Sequence, residues 1–162
     1  MPTNPSGYDT ALICEAGHVA TSLASYASDA PEYCPTCGRP VLAACPHCEA
    51  PIRGAYSGGF YTGGYDRPAY CIRCGGAFPW QAAAIRAAQE VADEITGLDP
   101  EERERLKEAL EDISTDSPRT ELGASRVRSV VERLKGPTGQ LLYKAAETIA
   151  TEGAKAIMRG GI

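Results

Sequence analysis

Apolar positions in the second half of the chain recur with the 3.6-residue period of helices; in the first half they do not. Trp80, Ala84, Ala87, Val91 and Ile95 form one stripe, and Leu106, Ala109, Leu110 and Ile113 a second. Leu122, Val127, Val130, Val131 and Leu134 form a third, and Leu142, Ala145, Ile149 and Ile157 a fourth. Asp99-Pro100, Ser117-Pro118 and Gly136-Pro137 each fit an N-cap followed by proline at the first helical position. Asp99 and Glu102 have the spacing of a capping box. The pattern predicts about four helices, near residues 80–96, 100–113, 118–135 and 138–159. Their narrow stripes suit a small bundle, or helices that complete their burial against a second copy.

The first half is interrupted by glycine or proline every few residues, the pattern of short strands and turns. Composition changes at the same place. Residues 1–80 hold all seven cysteines, both histidines, nine of the twelve prolines and ten of the eleven aromatic residues. Such a shift marks a domain boundary, so the expected division is 1–80 and 81–162, in an α+β fold with antiparallel strands first and helices after. A hydrophobic content of 43% and a charged content of 23% exclude global disorder and a collagen-like repeat. No run of about 18 apolar residues is present, so no transmembrane helix is expected.

Four ligand-like pairs lie in the first half: Cys14-Glu-Ala-Gly-His18, Cys34-Pro-Thr-Cys37, Cys45-Pro-His-Cys48 and Cys71-Ile-Arg-Cys74. In a Cys-x-x-Cys turn both sulfurs fall on one side of a tight knuckle. Backbone N–H groups there can point at the first sulfur and favour its thiolate. The residue after the second cysteine needs a positive φ, which Gly38 and Gly75 supply without steric cost. Seven cysteines and His18 make eight ligands, enough for two tetrahedral zinc ions with none left over. Intervals of 15, 7 and 22 residues separate the pairs. They permit a tandem arrangement, in which Cys14, His18, Cys34 and Cys37 hold one ion and Cys45, Cys48, Cys71 and Cys74 the other. They also permit a crossed one, first pair with third and second with fourth, as in a RING- or FYVE-like module. The strand-forming stretch inside each half favours tandem zinc ribbons. His47, between two ligands, reads as a solvated position.

The Cys-Pro-x-Cys style resembles the double zinc-ribbon proteins of bacteria over residues 12–80. The whole layout, with Cys74-Gly-Gly-Ala-Phe78-Pro79-Trp80 running into a helical tail, is similar to an uncharacterised bacterial zinc-ribbon family. That resemblance implies metal and fold and carries no activity with it.

Two ligand sets filled by protein leave no open position for a substrate water. No His-Glu-x-x-His, phosphate loop or paired-carboxylate motif is present, so no enzymatic activity is expected. About 80 Gly/Pro-rich residues cannot build a large core, and the metal is expected to be required for folding of the first half. With no basic leader ahead of the first apolar run and an odd number of cysteines, the expected compartment is a reducing cytoplasm.

Two features raise nucleic acid as an alternative partner. Tyr56, Phe60, Tyr61, Tyr65 and Tyr70 crowd a glycine-rich loop beside Arg53, Arg67 and Arg73, and Arg126, Arg128, Arg133 and Lys135 make the third helix basic. Residues 1–80 nevertheless carry four arginines and no lysine against six acidic residues, a poor footprint for phosphate. Residues 81–118 are net −7 and residues 119–162 net +4, which suits helices packed with complementary edges. Ala146, Ala150 and Ala154 allow close approach of a neighbouring helix. The first expectation is therefore a non-catalytic zinc module that binds a protein partner, with helices that dock or self-associate. A nucleic-acid-binding regulator is the alternative.

Overall fold

The computed structural model describes residues 7–58 and 64–160. The chain divides into two compact units, Met1–Ala82 and Ala83–Ile162. Together they make an α+β protein of short antiparallel strands followed by helices.

In the first unit, β1 (Tyr8–Thr10) pairs antiparallel with β5 (Arg53–Tyr56). β2 (Leu12–Cys14) lies between β3 (Val19–Thr21) and β4 (Val41–Leu42), antiparallel to both. Frequent prolines keep the strands to two to four residues. Isolated bridges continue the pairing at Tyr33–Pro40, Ala44–Pro51 and Tyr70–Ala77, each straddling a Cys-x-x-Cys turn. Ala11, Ile13, Ile52, Phe78 and Trp80 are buried together with Cys45 and Cys71. Phe78 and Trp80 stack with ring centroids 4.7 Å apart, and the Trp80 indole N–H donates to the Pro68 carbonyl at 2.9 Å. Two of the seven residues in this small core are cysteines of the ligand pairs, so packing and the ligand sets are one structure.

Among the described residues five α-helices follow, not four: α1 (Pro79–Glu94), α2 (Pro100–Asp112), α3 (Thr120–Leu134), α4 (Gly136–Ile149) and α5 (Glu152–Met158). The expected last helix, 138–159, is broken at Ala150, which takes an extended conformation. Thr151 then caps α5 by accepting the Ala154 N–H, and its own N–H donates to the Ile113 carbonyl at 2.9 Å. A side-chain cap and a tertiary partner for the freed N–H together offset the loss of helical continuity. Ala146, Ala150 and Ala154 are all buried, though not on one continuous helix.

Within this unit α3 packs against α2, α4 and α5. Asp99 and Glu102 complete both hydrogen bonds of the capping box at the start of α2. Some faces are rotated from the expected stripes. α1 buries Ala88 and Ala92, with Ile95 buried just past its end, and leaves Ala87 exposed; in so alanine-rich a helix the apolar period selects no single face. α3 buries Gly123 and Ala124 and exposes Leu122, because a Cβ on Gly123 would come within 2.8 Å of Asp112 Cβ. Lys135 alone joins α3 to α4, with φ +49°. Among the described residues no helix is long and apolar enough to cross a membrane.

Candidate metal centres

The three Cys-x-x-Cys turns share one backbone pattern. The N–H of the first cysteine donates to the carbonyl five residues on, at 2.8 Å in each: Cys34 to Arg39, Cys45 to Ala50 and Cys71 to Gly76. The residue after the second cysteine returns its N–H to the first cysteine's carbonyl, again at 2.8 Å. That residue has positive φ every time: Gly38 (69°), Glu49 (59°) and Gly75 (73°). The Cys14–His18 pair is built differently, as the turn of the β2–β3 hairpin. Gly17, at φ +87°, donates to the Cys14 carbonyl at 2.7 Å, and the His18 N–H points at Cys14 Sγ at 3.3 Å.

Strand pairing then groups the pairs. β4 leaves the Cys34–Cys37 turn and pairs with β2, which sets Cys14 opposite Val41. Cys14, His18, Cys34 and Cys37 are thereby gathered with their ligand atoms all within 4.8 Å of one another, and Cys45, Cys48, Cys71 and Cys74 form a second such group. Each is a group that can hold a metal ion. First pair meets second and third meets fourth, the tandem arrangement.

The spacings also test which ion fits. A tetrahedral zinc with Zn–S of about 2.3 Å and Zn–N of about 2.0–2.1 Å has edges of about 3.8 Å between sulfurs and about 3.5 Å between sulfur and nitrogen. Cys14 Sγ lies 3.7 Å from Cys37 Sγ, Cys45 Sγ 3.8 Å from Cys74 Sγ, and Cys48 Sγ 3.7 Å from Cys71 Sγ. His18 Nδ1 lies 3.5 Å from Cys14 Sγ and 3.6 Å from Cys34 Sγ. Donor chemistry and spacing both fit zinc, and the sulfurs are too far apart for disulfides.

Each pair has a buried root and a more accessible tip. Cys14, Cys34, Cys45 and Cys71 are buried; His18, Cys37 and Cys74 are exposed and Cys48 half-buried. Thiol acidity splits within each group. At Cys34 burial opposes the thiolate, but the backbone N–H groups of Thr36 and Cys37 and the neighbouring thiols outweigh it and bring it down to about 6. Cys71 is brought to about 6 by the N–H groups of Cys74 and Arg73. At Cys48 the Ala50 N–H favours the thiolate, yet burial and the thiols of Cys74, Cys71 and Cys45 push it up to about 12. Cys37 is raised in the same way, by burial together with Cys14 and Cys34, against the Arg39 N–H. Packed thiols cannot all ionise beside one another, so a cation is what lets the set become thiolate.

His47 lies outside both groups; its ring sits against the Gly76 backbone, where an added Cβ would approach within 2.9 Å of it. The arginines of the aromatic loop have structural partners. Arg53 lies 3.6 Å over the Tyr8 ring, and Arg67 donates to the Gly17 carbonyl at 2.7 Å. Tyr65 donates its hydroxyl to the Arg53 carbonyl. Phe60 and Tyr61 lie outside the described residues. On α3, Arg128 pairs with Glu132 at 2.7 Å and Arg133 with Glu102 at 2.8 Å. Sequence reasoning missed Arg67 and Trp80 as supports of the first ligand pair: both crowd Gly17, Arg67 Cζ at 2.8 Å and Trp80 Cβ at 2.9 Å from where its Cβ would be. No local pattern in the sequence announces a contact across 50 residues.

No curated protein and no solved structure matches the chain. One family model does, over residues 7–158, taking in both ligand groups and all five helices. The chain therefore belongs to the bacterial family described as uncharacterized protein conserved in bacteria (DUF2321).

Proposed function

We propose that this protein is a non-catalytic, zinc-stabilised interaction module of the bacterial cytoplasm, built on tandem zinc ribbons. One zinc ion is held by Cys14, His18, Cys34 and Cys37 and a second by Cys45, Cys48, Cys71 and Cys74. The observation that carries the reading is the spacing of the eight ligand atoms, which matches the edges of two tetrahedra with every corner supplied by the chain. A closed site of this kind supplies folding free energy and offers no position to a reacting water.

The partner-binding part rests on what adjoins the ligands. Val19 follows His18 and is 41% exposed, Tyr33 precedes Cys34 and is 62% exposed, and Ile72 follows Cys71 and is 69% exposed. These large apolar side chains are held at the surface by the same turns that hold the metal, so partner recognition depends on metal occupancy. The helical unit serves as a second docking or self-association element. Arg53, Arg67, Arg128 and Arg133 are engaged within the chain, which weighs against nucleic acid.

Elemental analysis of the purified protein tests the reading directly. Two zinc ions per chain are expected, with loss of the first unit's structure on strong chelation. A folded, metal-free protein that keeps its circular dichroism in chelator would overturn it.

A further inference from the structure

In the helical unit a cleft of about 270 Å³ opens between α2 and α3. Arg105, Arg126, Arg133, Ser129 and Glu102 line it, and Leu106 and Val130 supply an apolar wall. Its charges are not balanced. Arg133 donates to Glu102 Oε1 at 2.8 Å, while Glu102 Oε2 already takes the Asp99 N–H. Among the described residues Arg105 has only Glu101, at 3.7 Å, beyond hydrogen-bond range. Arg126 is half-buried and has no hydrogen bond or ion pair among the described residues. Three guanidinium groups thus face one carboxylate, a lining of net +2. Nearby, Arg119 is neutralised at close range by Asp112 at 2.8 Å and Arg128 by Glu132 at 2.7 Å. This cleft between the two helices brings the unpaired Arg126 together with Arg105 and Arg133.

We propose that this cleft binds the phosphoryl group of a phosphomonoester. Arg126 and Arg105 offer forked N–H donors to its oxygens, Arg133 adds the third positive charge, and Leu106 and Val130 contact the esterified organic group. A phosphomonoester carries about −1.5 to −2 charges at neutral pH, which matches the lining. Its tetrahedral oxygens accept guanidinium forks from several directions at once, whereas a planar carboxylate is filled by a single fork. Ser129 adds a neutral hydroxyl donor at the rim. The proposal concerns the helical unit and stands independently of the metal reading.

Calorimetric titration of the full, zinc-loaded chain with phenyl phosphate at low ionic strength provides the test, with inorganic phosphate and benzoate in parallel. Saturable one-to-one binding of phenyl phosphate is expected, weaker binding of inorganic phosphate, and benzoate weaker still. Arg126→Gln should weaken phenyl phosphate by about tenfold or more, the loss of a charge-assisted pair, while leaving the fold intact because it breaks no hydrogen bond or ion pair among the described residues. Arg105→Gln is a second, independent variant with the same expected direction. Arg128→Gln, whose guanidinium is already occupied, should leave binding unchanged. The proposal fails if phenyl phosphate shows no saturable binding, if benzoate binds as well, or if Arg126→Gln and Arg128→Gln have equal effects. Capture of an oligonucleotide in preference to phenyl phosphate, weakened alike by both variants, would mean a diffuse phosphate-tracking surface and also overturn it.

Discussion

Cys14 stands directly opposite Val41 across the β2–β4 ladder, and the hydrogen bond from the Glu15 N–H to the Pro40 carbonyl at 3.1 Å extends that register by one more residue. Val41 is four residues beyond Cys37, so this pairing carries Cys14 to the second pair of ligands and not to the third. Cys14→Ala should therefore lower zinc content to about one per chain and leave Cys37 open to a thiol-specific reagent, with Cys45, Cys48 and Cys74 still protected. Cys71→Ala should do the reverse. Elemental analysis with peptide mapping of the labelled cysteines reads both outcomes. Labelling of Cys45 in the Cys14 variant contradicts the grouping.

Gly17 has two separate reasons to be glycine. Its φ of +87° disfavours any side chain, and a Cβ would come within 2.9 Å of both Arg67 Cζ and Trp80 Cβ. Gly38 has only the first, since nothing lies within 4 Å of its added Cβ. Gly38→Ala should cost about 1–2 kcal/mol, the usual penalty of the left-handed region. Gly17→Ala should cost more, about 2–4 kcal/mol, because overpacking adds to that penalty. Denaturant titration of the metal-loaded variants compares the two directly.

Glu49 occupies the position that Gly38 and Gly75 hold in the other turns, with φ +59° and an exposed side chain. Relief of about 1–2 kcal/mol of left-handed strain outweighs the added unfolded-state freedom of glycine, about 0.5–1 kcal/mol. Glu49→Gly should therefore stabilise the first unit by about 0.5 kcal/mol, a rise in denaturation midpoint with unchanged slope.

Zinc uptake should release protons. Without metal at neutral pH, Cys34 and Cys71, brought down to about 6, are thiolates, while Cys48, pushed up to about 12, keeps its proton. Binding must expel that proton, so affinity falls as pH falls and the apparent binding enthalpy changes with the ionisation enthalpy of the buffer. Titrations of apo protein in two buffers measure the number released; zero protons at neutral pH would contradict the lowered acidity of the Cys48 thiol.

The tie between α2 and α3 should respond to acid. The hydrogen bond from Arg133, helped by the Asp99 N–H, holds the Glu102 carboxyl below its ordinary value. A depressed folded-state value means that its stabilisation is fully present above the ordinary carboxylate range, about 4.3, and lost as pH falls through the folded value. Carboxyl NMR should show Glu102 titrating below that range. Glu102→Gln should flatten this part of the acid-side decline in stability, measured by denaturation at several pH values.

How far the sequence was legible follows from the range of each interaction. The eight candidate ligands were visible because a Cys-x-x-Cys turn is local and its residue types are rare in other roles. Their grouping was favoured but not forced, since it depends on β4 choosing β2 across a gap that spacing alone leaves open. The capping box at Asp99 and Glu102 was readable for the same local reason. The break at Ala150 was not: Thr151 prefers capping α5 only because Ile113 waits with a free carbonyl, a contact made in three dimensions. In the sequence Arg67 reads as one of three arginines beside the aromatic loop, and only the folded chain shows its guanidinium bound to the Gly17 carbonyl.

The common backbone pattern of the three turns has a consequence for variation. Hydrogen bonds from main-chain atoms and one left-handed residue set where the sulfurs go, so the two residues between the cysteines act there through their backbone and not through their side chains. Pro35-Thr36, Pro46-His47 and Ile72-Arg73 are three different contents in one chassis. Exchanging Pro35-Thr36 with Ile72-Arg73 alters which chemical groups meet the outside world while the main-chain scaffold beneath them stays put; Pro46-His47 is less free, because the His47 ring rests against Gly76.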